Sequence, residues 1–190
     1  MKTNRAASRI HTYSQGYPRL KPLALALFSM APWSAAPVLA VEGGQVVQGQ
    51  GSVQTNQHST TINQQSNALI LNWKNFNIGP NERVQFLQPS SSAIALNRVL
   101  SSDPTSIFGQ LLANGQVFLI NPNGITFGAN ARINVGSLVA STLDISDADF
   151  LSGAASGQFT FSGAGNGRIV NHGEINANNG GYVALLGKQV

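Results

Sequence analysis

From Ala68 to Leu186 the apolar residues of this chain come in short runs, and Gly, Asn or Pro closes nearly every one. Ala68 to Trp73 is such a run, and Val84-Gln85-Phe86-Leu87, closed by Pro89, is another. Ala93 to Val99 and Gln116 to Ile120 follow, the latter stopped by Asn121-Pro122. Further runs are Ile125–Phe127, Arg132–Val135, Leu138–Thr142, Phe159–Phe161, Ile169–Val170, Glu174–Ala177 and Tyr182–Leu186. Runs this short suit β-strands and are too brief for packed helices. Only Asp103 to Leu112 offers a helical alternative, a turn or two with Asp103 as cap and Pro104 in the first turn. The fold class is therefore all-β.

An internal repeat favours a solenoid over a sandwich. Arg132-Ile133-Asn134-Val135 followed by Gly136-Ser137-Leu138-Val139-Ala140 resembles Glu174-Ile175-Asn176-Ala177 followed by Gly180-Gly181-Tyr182-Val183-Ala184, at an offset of 42 to 44 residues. Between the copies lies Asp144 to Gly167, rich in Ser, Gly and Ala, which breaks the pattern. Without it the offset falls to about 20 residues, one coil of a β-solenoid. The interruption is expected to be an excursion, a hairpin around Phe159–Phe161. Successive coils stack about 4.8 Å apart, with backbone pairing between coils. Asn130, Asn171, Asn176 and Asn178 are expected at corners, where amides stack and satisfy turns. An exposed first coil is a template for aggregation and needs a cap. Val46 to Ile78 is the natural source, and Trp73, Phe76 and Phe86 are the expected cap and core residues. Tyr182 to Val190 reads as a strand cut off in mid-pattern, so the native product is expected to continue past Val190.

Charge divides the chain into two parts. The formal charge of +4 comes from Lys2, Arg5, Arg9, Arg19 and Lys21, which lie before residue 40 with no acid among them. After residue 40, six bases meet seven acids, a net charge of −1. Nucleic-acid binding needs a basic patch on the folded part, and this balance argues against one. Residues 1–40 read as an export signal: a basic region from Met1 to Lys21, an apolar region from Leu23 to Met30, and a segment broken by Pro32 and Pro37. Val38-Leu39-Ala40 presents small side chains at the −3 and −1 positions, which puts cleavage after Ala40; Ser34-Ala35-Ala36 is a second option. The apolar region is too short to span about 30 Å of hydrocarbon as a helix, so no stable membrane insertion is expected. The general secretory machinery and signal peptidase are the implied partners. Cysteine is absent, compatible with a chain threaded unfolded through a pore, since cross-links closed in the periplasm would block it.

The most specific signal is Gln116-Val117-Phe118-Leu119-Ile120 followed by Asn121-Pro122-Asn123-Gly124-Ile125 and, further on, Ala140-Ser141-Thr142-Leu143-Asp144-Ile145. Asn-Pro-Asn-Gly is a strong turn sequence: Asn121 can bond the backbone that follows, Pro122 presets φ, and Gly124 accepts positive φ. With Asn72-Trp73, Asn75-Phe76-Asn77-Ile78, Val84-Gln85-Phe86-Leu87, Asn97-Arg98-Val99 and Ile169-Val170-Asn171-His172-Gly173, this stretch resembles the two-partner-secretion domain of the filamentous haemagglutinin and high-molecular-weight adhesin family. The resemblance runs from about residue 41 to the end. A second family tetrapeptide, Asn-Pro-Asn-Leu, is absent; Asn97-Arg98-Val99-Leu100 lies in the comparable region.

The resemblance implies a right-handed parallel β-helix with an N-terminal cap and extra-helical strands over residues 41–190. It implies export to the periplasm, recognition by the POTRA domains of an outer-membrane β-barrel transporter, and secretion to the cell surface of a Gram-negative bacterium. Asn121, Pro122, Asn123, Gly124 and Ile125 would then form the secretion motif, read by the transporter or nucleating the first coil. Contact with a host surface would belong to downstream repeats.

Other chemistry finds little support. Asp144, Asp147 and Asp149 are close together, but the Gly and terminal Glu of a calcium loop are missing, and a solvated turn is expected. His58 and His172 lack partners at ligand spacing and read as surface residues. Paired carboxylates for glycoside chemistry are in short supply, and Gly163-Ala164-Gly165-Asn166-Gly167 lacks the Lys of a phosphate loop. No enzymatic activity, metal or cofactor is expected. The rival reading is direct adhesion or carbohydrate binding by this segment.

Overall fold

The computed structural model of the protein describes residues 41–190, so the export signal and its cleavage point at Ala40 lie outside the described residues. Two strands lead: β1 (Gln45–Gln48) and β2 (Gly51–Thr55). They are followed by β3 (Ser59–Gln64), β4 (Ala68–Trp73), β5 (Arg83–Leu87), β6 (Ile94–Val99), β7 (Thr105–Ile107) and β8 (Gln110–Ala113). Next come β9 (Gln116–Ile120), β10 (Ile125–Phe127), β11 (Arg132–Val135) and β12 (Ser137–Ser141). A helix, α1 (Asp147–Ser156), precedes β13 (Ile169–Asn171), β14 (Glu174–Ala177) and β15 (Val183–Leu186).

These strands build three sheets, ordered β1-β4-β6-β9-β12-β15, β2-β3-β5-β8-β11-β14 and β7-β10-β13. The chain visits the sheets in rotation, and every pairing from β3 onward is parallel and between coils. The architecture is thus a parallel β-helix. Only β1 on β4 and β2 on β3 run antiparallel, so the leading coil is closed by strands of opposite direction. A bulge between Val46 and Gln48 twists β1, a device that blunts a free edge.

Period-two alternation places one residue in two inside the coil. Val84 stacks on Leu111, Leu111 on Ile133, and Ile133 on Ile175. Ala95, Val117 and Leu138 form a second interior column. Trp73, Phe76 and Phe86 are all buried in this inner core, with Trp73 and Phe76 edge to face at 5.4 Å. The leading edge itself is formed by β1 and β2, earlier and narrower than the Val46–Ile78 cap read from the sequence.

Four expectations need correction. Asp103–Leu112 is not helical; Thr105–Ile107 and Gln110–Ala113 are β7 and β8. A capped proline turn is a local preference, and parallel pairing of these strands on both sides overrides it. The segment Asp144–Gly167 is not a hairpin but a loop around α1, tied by one antiparallel bridge between Asp144 and Ser162. Ser146 caps α1 by accepting from the Asp149 amide, and Gly157 ends it at φ 80°. The three aspartates are not a solvated turn, because Asp144 and Asp147 both pair with Arg98. Asn176 is not at a corner; it lies within β14 opposite Asn134, to which its Nδ2 donates at 3.1 Å.

The repeat has the expected register in its first half, Arg132 to Glu174 and Ile133 to Ile175. In its second half Val139 pairs with Ala184, one residue away from the sequence alignment. An added corner residue is invisible in an alignment of similar letters, yet a one-residue slip exchanges the inner and outer faces.

Candidate functional site

The Asn121–Ile125 segment joins β9 to β10 and touches the coils on both sides. Asn121 is fully buried at the end of β9. Its Nδ2 donates to the Asp103 carbonyl and to Thr105 Oγ1, each at 3.0 Å. Its Oδ1 accepts from the Asn123 amide at 3.0 Å. Its backbone amide donates to the Ser141 carbonyl at 3.0 Å, and its carbonyl accepts from the Gly124 amide at 3.1 Å, closing the turn. Nothing polar on this buried side chain is left without a partner, the condition under which its burial is tolerated.

The other motif residues complete the corner. Exposed Asn123 sends Nδ2 to the Ser101 carbonyl at 3.0 Å. The Pro122 carbonyl accepts from the Gly167 amide at 2.9 Å. Gly124 has φ 118°, and a Cβ there would lie 3.0 Å from the Arg168 carbonyl oxygen, so conformation and space both require glycine. Ile125 is buried between Thr105 and Ile169 in the stacked sheet. Ser101–Thr105 on one side and Gly167–Ile169 on the other are therefore tied to one turn. Of the motif, only Pro122 and Asn123 are exposed.

Two further polar groups were not singled out in the sequence. Asn97 is fully buried inside the coil, where Oδ1 accepts from Trp73 Nε1 at 2.9 Å and Nδ2 donates to the Phe118 carbonyl at 3.2 Å. Gln88 donates through Nε2 to Gln64 Oε1 and to the Ala93 carbonyl, each at 3.0 Å, and accepts from the Gly115 amide at 2.9 Å. The only signal for Asn97 is a polar letter at an inward position of an apolar run. For Gln64 and Gln88 the sequence carries none, because exposed strands here are equally rich in Gln.

Arg98 joins the coil to the excursion. Its guanidinium reaches Asp144 and Asp147, each at 3.0 Å, and the Ile145 carbonyl at 2.6 Å. Burial works against the charge, but the bonds and charges of Asp144 and then Asp147 outweigh it and hold the pKa above its ordinary value. His58 and His172 are both exposed. The larger surface grooves, such as the one of about 400 Å³ lined by His58, Asn81, Glu82, Arg83 and Gln110, show no pairing of nucleophile and base.

Similarity to known proteins is consistent with this architecture. Residues 38–190 match the TPS secretion domain family. The chain is 33% identical over 168 residues to a heme/hemopexin-binding protein of Haemophilus influenzae strain Rd, covering 76% of this chain and 19% of that protein. It is 43% identical over 91 residues to another heme/hemopexin-binding protein of Haemophilus influenzae, covering 48% of this chain and 10% of that one. The chain thus spans a fifth or less of the length of these relatives. Its fold is similar to the crystal structure of the HMW1 secretion domain from Haemophilus influenzae, with a TM-score of 0.65 and 40% identity over 76% of this chain and 38% of that one. With a family match across the whole β-helix and a solved secretion domain of like fold, this chain belongs to the TPS secretion domain family.

Proposed function

We propose that residues 41–190 are the transporter-addressed secretion module of a longer exoprotein, and that residues 1–40 are its export signal, cleaved after Ala40. The observation that carries this reading is the secretion-family match over the whole folded part. The general secretory route delivers the chain to the periplasm. The POTRA domains of an outer-membrane β-barrel transporter then bind it, and the β-helix forms as the chain emerges at the cell surface. The module performs no chemical step and uses no cofactor.

The fold supports such a division of labour. From β3 onward every strand pair joins different coils, so little structure forms before distant segments meet, and folding is slow. A chain still extended can add as a strand to a sheet edge of the transporter, with side-chain pockets giving specificity. Once folded, the module hides Asn121 and Ile125. The motif therefore serves the first coils as a corner tie after transport, and is accessible as a whole only before folding.

Secretion of the full chain from cells that co-produce the transporter tests both parts of the reading. Asn121→Ala is expected to block accumulation of folded protein outside, and Asn123→Ala to weaken capture by isolated POTRA domains. Unchanged secretion of both variants removes the motif from the mechanism. Purified protein that binds host cells or heparin but ignores the POTRA domains overturns the proposal in favour of adhesion.

A further inference from the structure

The sequence contains four Asn-Gly pairs after residue 40: Asn114-Gly115, Asn123-Gly124, Asn166-Gly167 and Asn179-Gly180. Asn-Gly is the dipeptide most open to self-modification, because glycine carries no side chain to hinder attack by its own backbone nitrogen on the preceding amide. The attack requires that nitrogen to be free and the asparagine side chain to swing onto it. The fold treats the four pairs very differently.

Asn114 is held at both ends: Oδ1 accepts from the Gln88 amide and Nδ2 donates to the Gln88 carbonyl, each at 2.8 Å. The nitrogen of Gly115 donates to Gln88 Oε1 at 2.9 Å. Asn123 is tied to the Ser101 carbonyl, and the Gly124 nitrogen donates to the Asn121 carbonyl at 3.1 Å. Exposed Asn166 has a less restrained side chain, but the Gly167 nitrogen donates to the Pro122 carbonyl at 2.9 Å. A Cβ at Gly167 would lie only 2.2 Å from the Gly124 nitrogen, so that backbone has no room to move.

Asn179-Gly180 differs on every count. Both residues are exposed in the turn between β14 and β15. The turn closes through the Gly181 amide to the Asn178 carbonyl at 2.8 Å. Neither the Gly180 nitrogen nor the Asn179 side chain has a hydrogen-bond partner among the described residues. Gly180 adopts φ 81°, and nothing lies within 4 Å of where its Cβ would be.

We propose that Asn179 is a self-modification site, where the folded protein converts an amide into a carboxylate. The Gly180 nitrogen loses its proton to hydroxide and attacks Asn179 Cγ. The new C–N bond forms as the Cγ–Nδ2 bond breaks, and ammonia leaves. Water then opens the five-membered succinimide at either carbonyl, giving aspartate or isoaspartate. The net change is one water consumed and one ammonia released, with no redox step. The product adds a negative charge to the last corner. Isoaspartate also lengthens the main chain of the turn by one carbon, in a part of the coil whose register decides which residues of β15 face inward.

The full chain is incubated at mildly alkaline pH and mapped by peptide mass spectrometry, with separation of the isoaspartyl peptide. Conversion at Asn179 is expected to run at least roughly tenfold ahead of the other three sites, the effect of one extra retained hydrogen bond on a rate. Gly180→Ala should abolish the difference without touching the coil interior. In urea the four sites should approach a common rate, because the protection is conformational. Equal rates in the folded protein, or Asn166 leading, would overturn the assignment. So would a lead of Asn179 that persists in full when the chain is unfolded, since it would then owe nothing to the fold.

Discussion

The two faces of the first sheet are buried by different means. Along β9, Val117 and Leu119 point into the coil while Phe118 and Ile120 point out, and all four are fully buried. Inside, burial is repetitive: each residue sits on its counterpart in the next coil. Outside, burial is supplied by one irregular excursion that lays Phe150, Phe159 and Phe161 around Phe118, with ring centroids at 5.9, 4.8 and 6.1 Å. The inner core is distributed over the coils, so damage at one coil leaves its neighbours paired. The outer core converges on a single ring and on the Arg98 clamp, so it forms or fails as a unit.

Truncation of adjacent residues on β9 tests this contrast most directly. Phe118→Ala is expected to cost about 3–5 kcal/mol and Leu119→Ala about 2–5 kcal/mol, read from urea midpoints. The distinguishing measurement is hydrogen exchange. With Phe118→Ala, protection should be lost across α1 while β11 and β14 keep theirs. With Leu119→Ala, the loss should centre on β6, β9 and β12 and spare α1. The same pattern for both variants would mean that the two cores are one cooperative unit.

Removing the clamp should have a smaller effect. Arg98→Met keeps much of the packing of the stem but deletes bonds to two half-exposed carboxylates, so a loss of about 1 kcal/mol is expected. The loss should shrink in high salt. A salt-independent loss would point to packing of the Arg98 stem rather than to its charge.

The smallest effect concerns Tyr182, whose hydroxyl donates to Gln116 Oε1 at 3.1 Å across the edge of the outer face. Burial holds its pKa above the ordinary value of 10.0. The folded state therefore keeps the phenol proton longer than the unfolded state does. Its stabilising contribution is complete below pH 10 and is lost as pH rises through the folded value. Tyr182→Phe should flatten the alkaline fall in melting temperature; an unaltered alkaline limb would assign that fall to other groups.

The inner face was largely legible in the sequence. Alternation in Arg132–Val135 and its likeness to Glu174–Ala177 revealed both the coil and its register, because parallel stacking sets like residues on like. The turn at Asn121–Gly124 was legible for a similar reason, since its four residues satisfy one another's backbone locally. The excursion was not. Phe159 and Phe161 read as strand, and α1 is so short and rich in Ser, Gly and Ala that no helical periodicity announces it. Its position is set by the aromatic pocket beneath it and by Arg98, contacts that join residues far apart in the chain. That Asn121 bonds Asp103 and Thr105 was equally hidden, because those partners belong to the preceding coil.

The sequence by itself determined that this chain forms short strands with tight corners, that those strands repeat at a coil's length, and that its folded part carries almost no net charge. These properties depend on alternation, turn chemistry and composition, which act over a few residues. Only the tertiary structure decided which residue stacks on which at the altered corner before β15, how the outer face of the first sheet is covered, and which Asn-Gly pair is left unprotected. Those outcomes depend on contacts between coils, where a shift of one residue exchanges inside for outside and a single hydrogen bond decides whether a group is free to react.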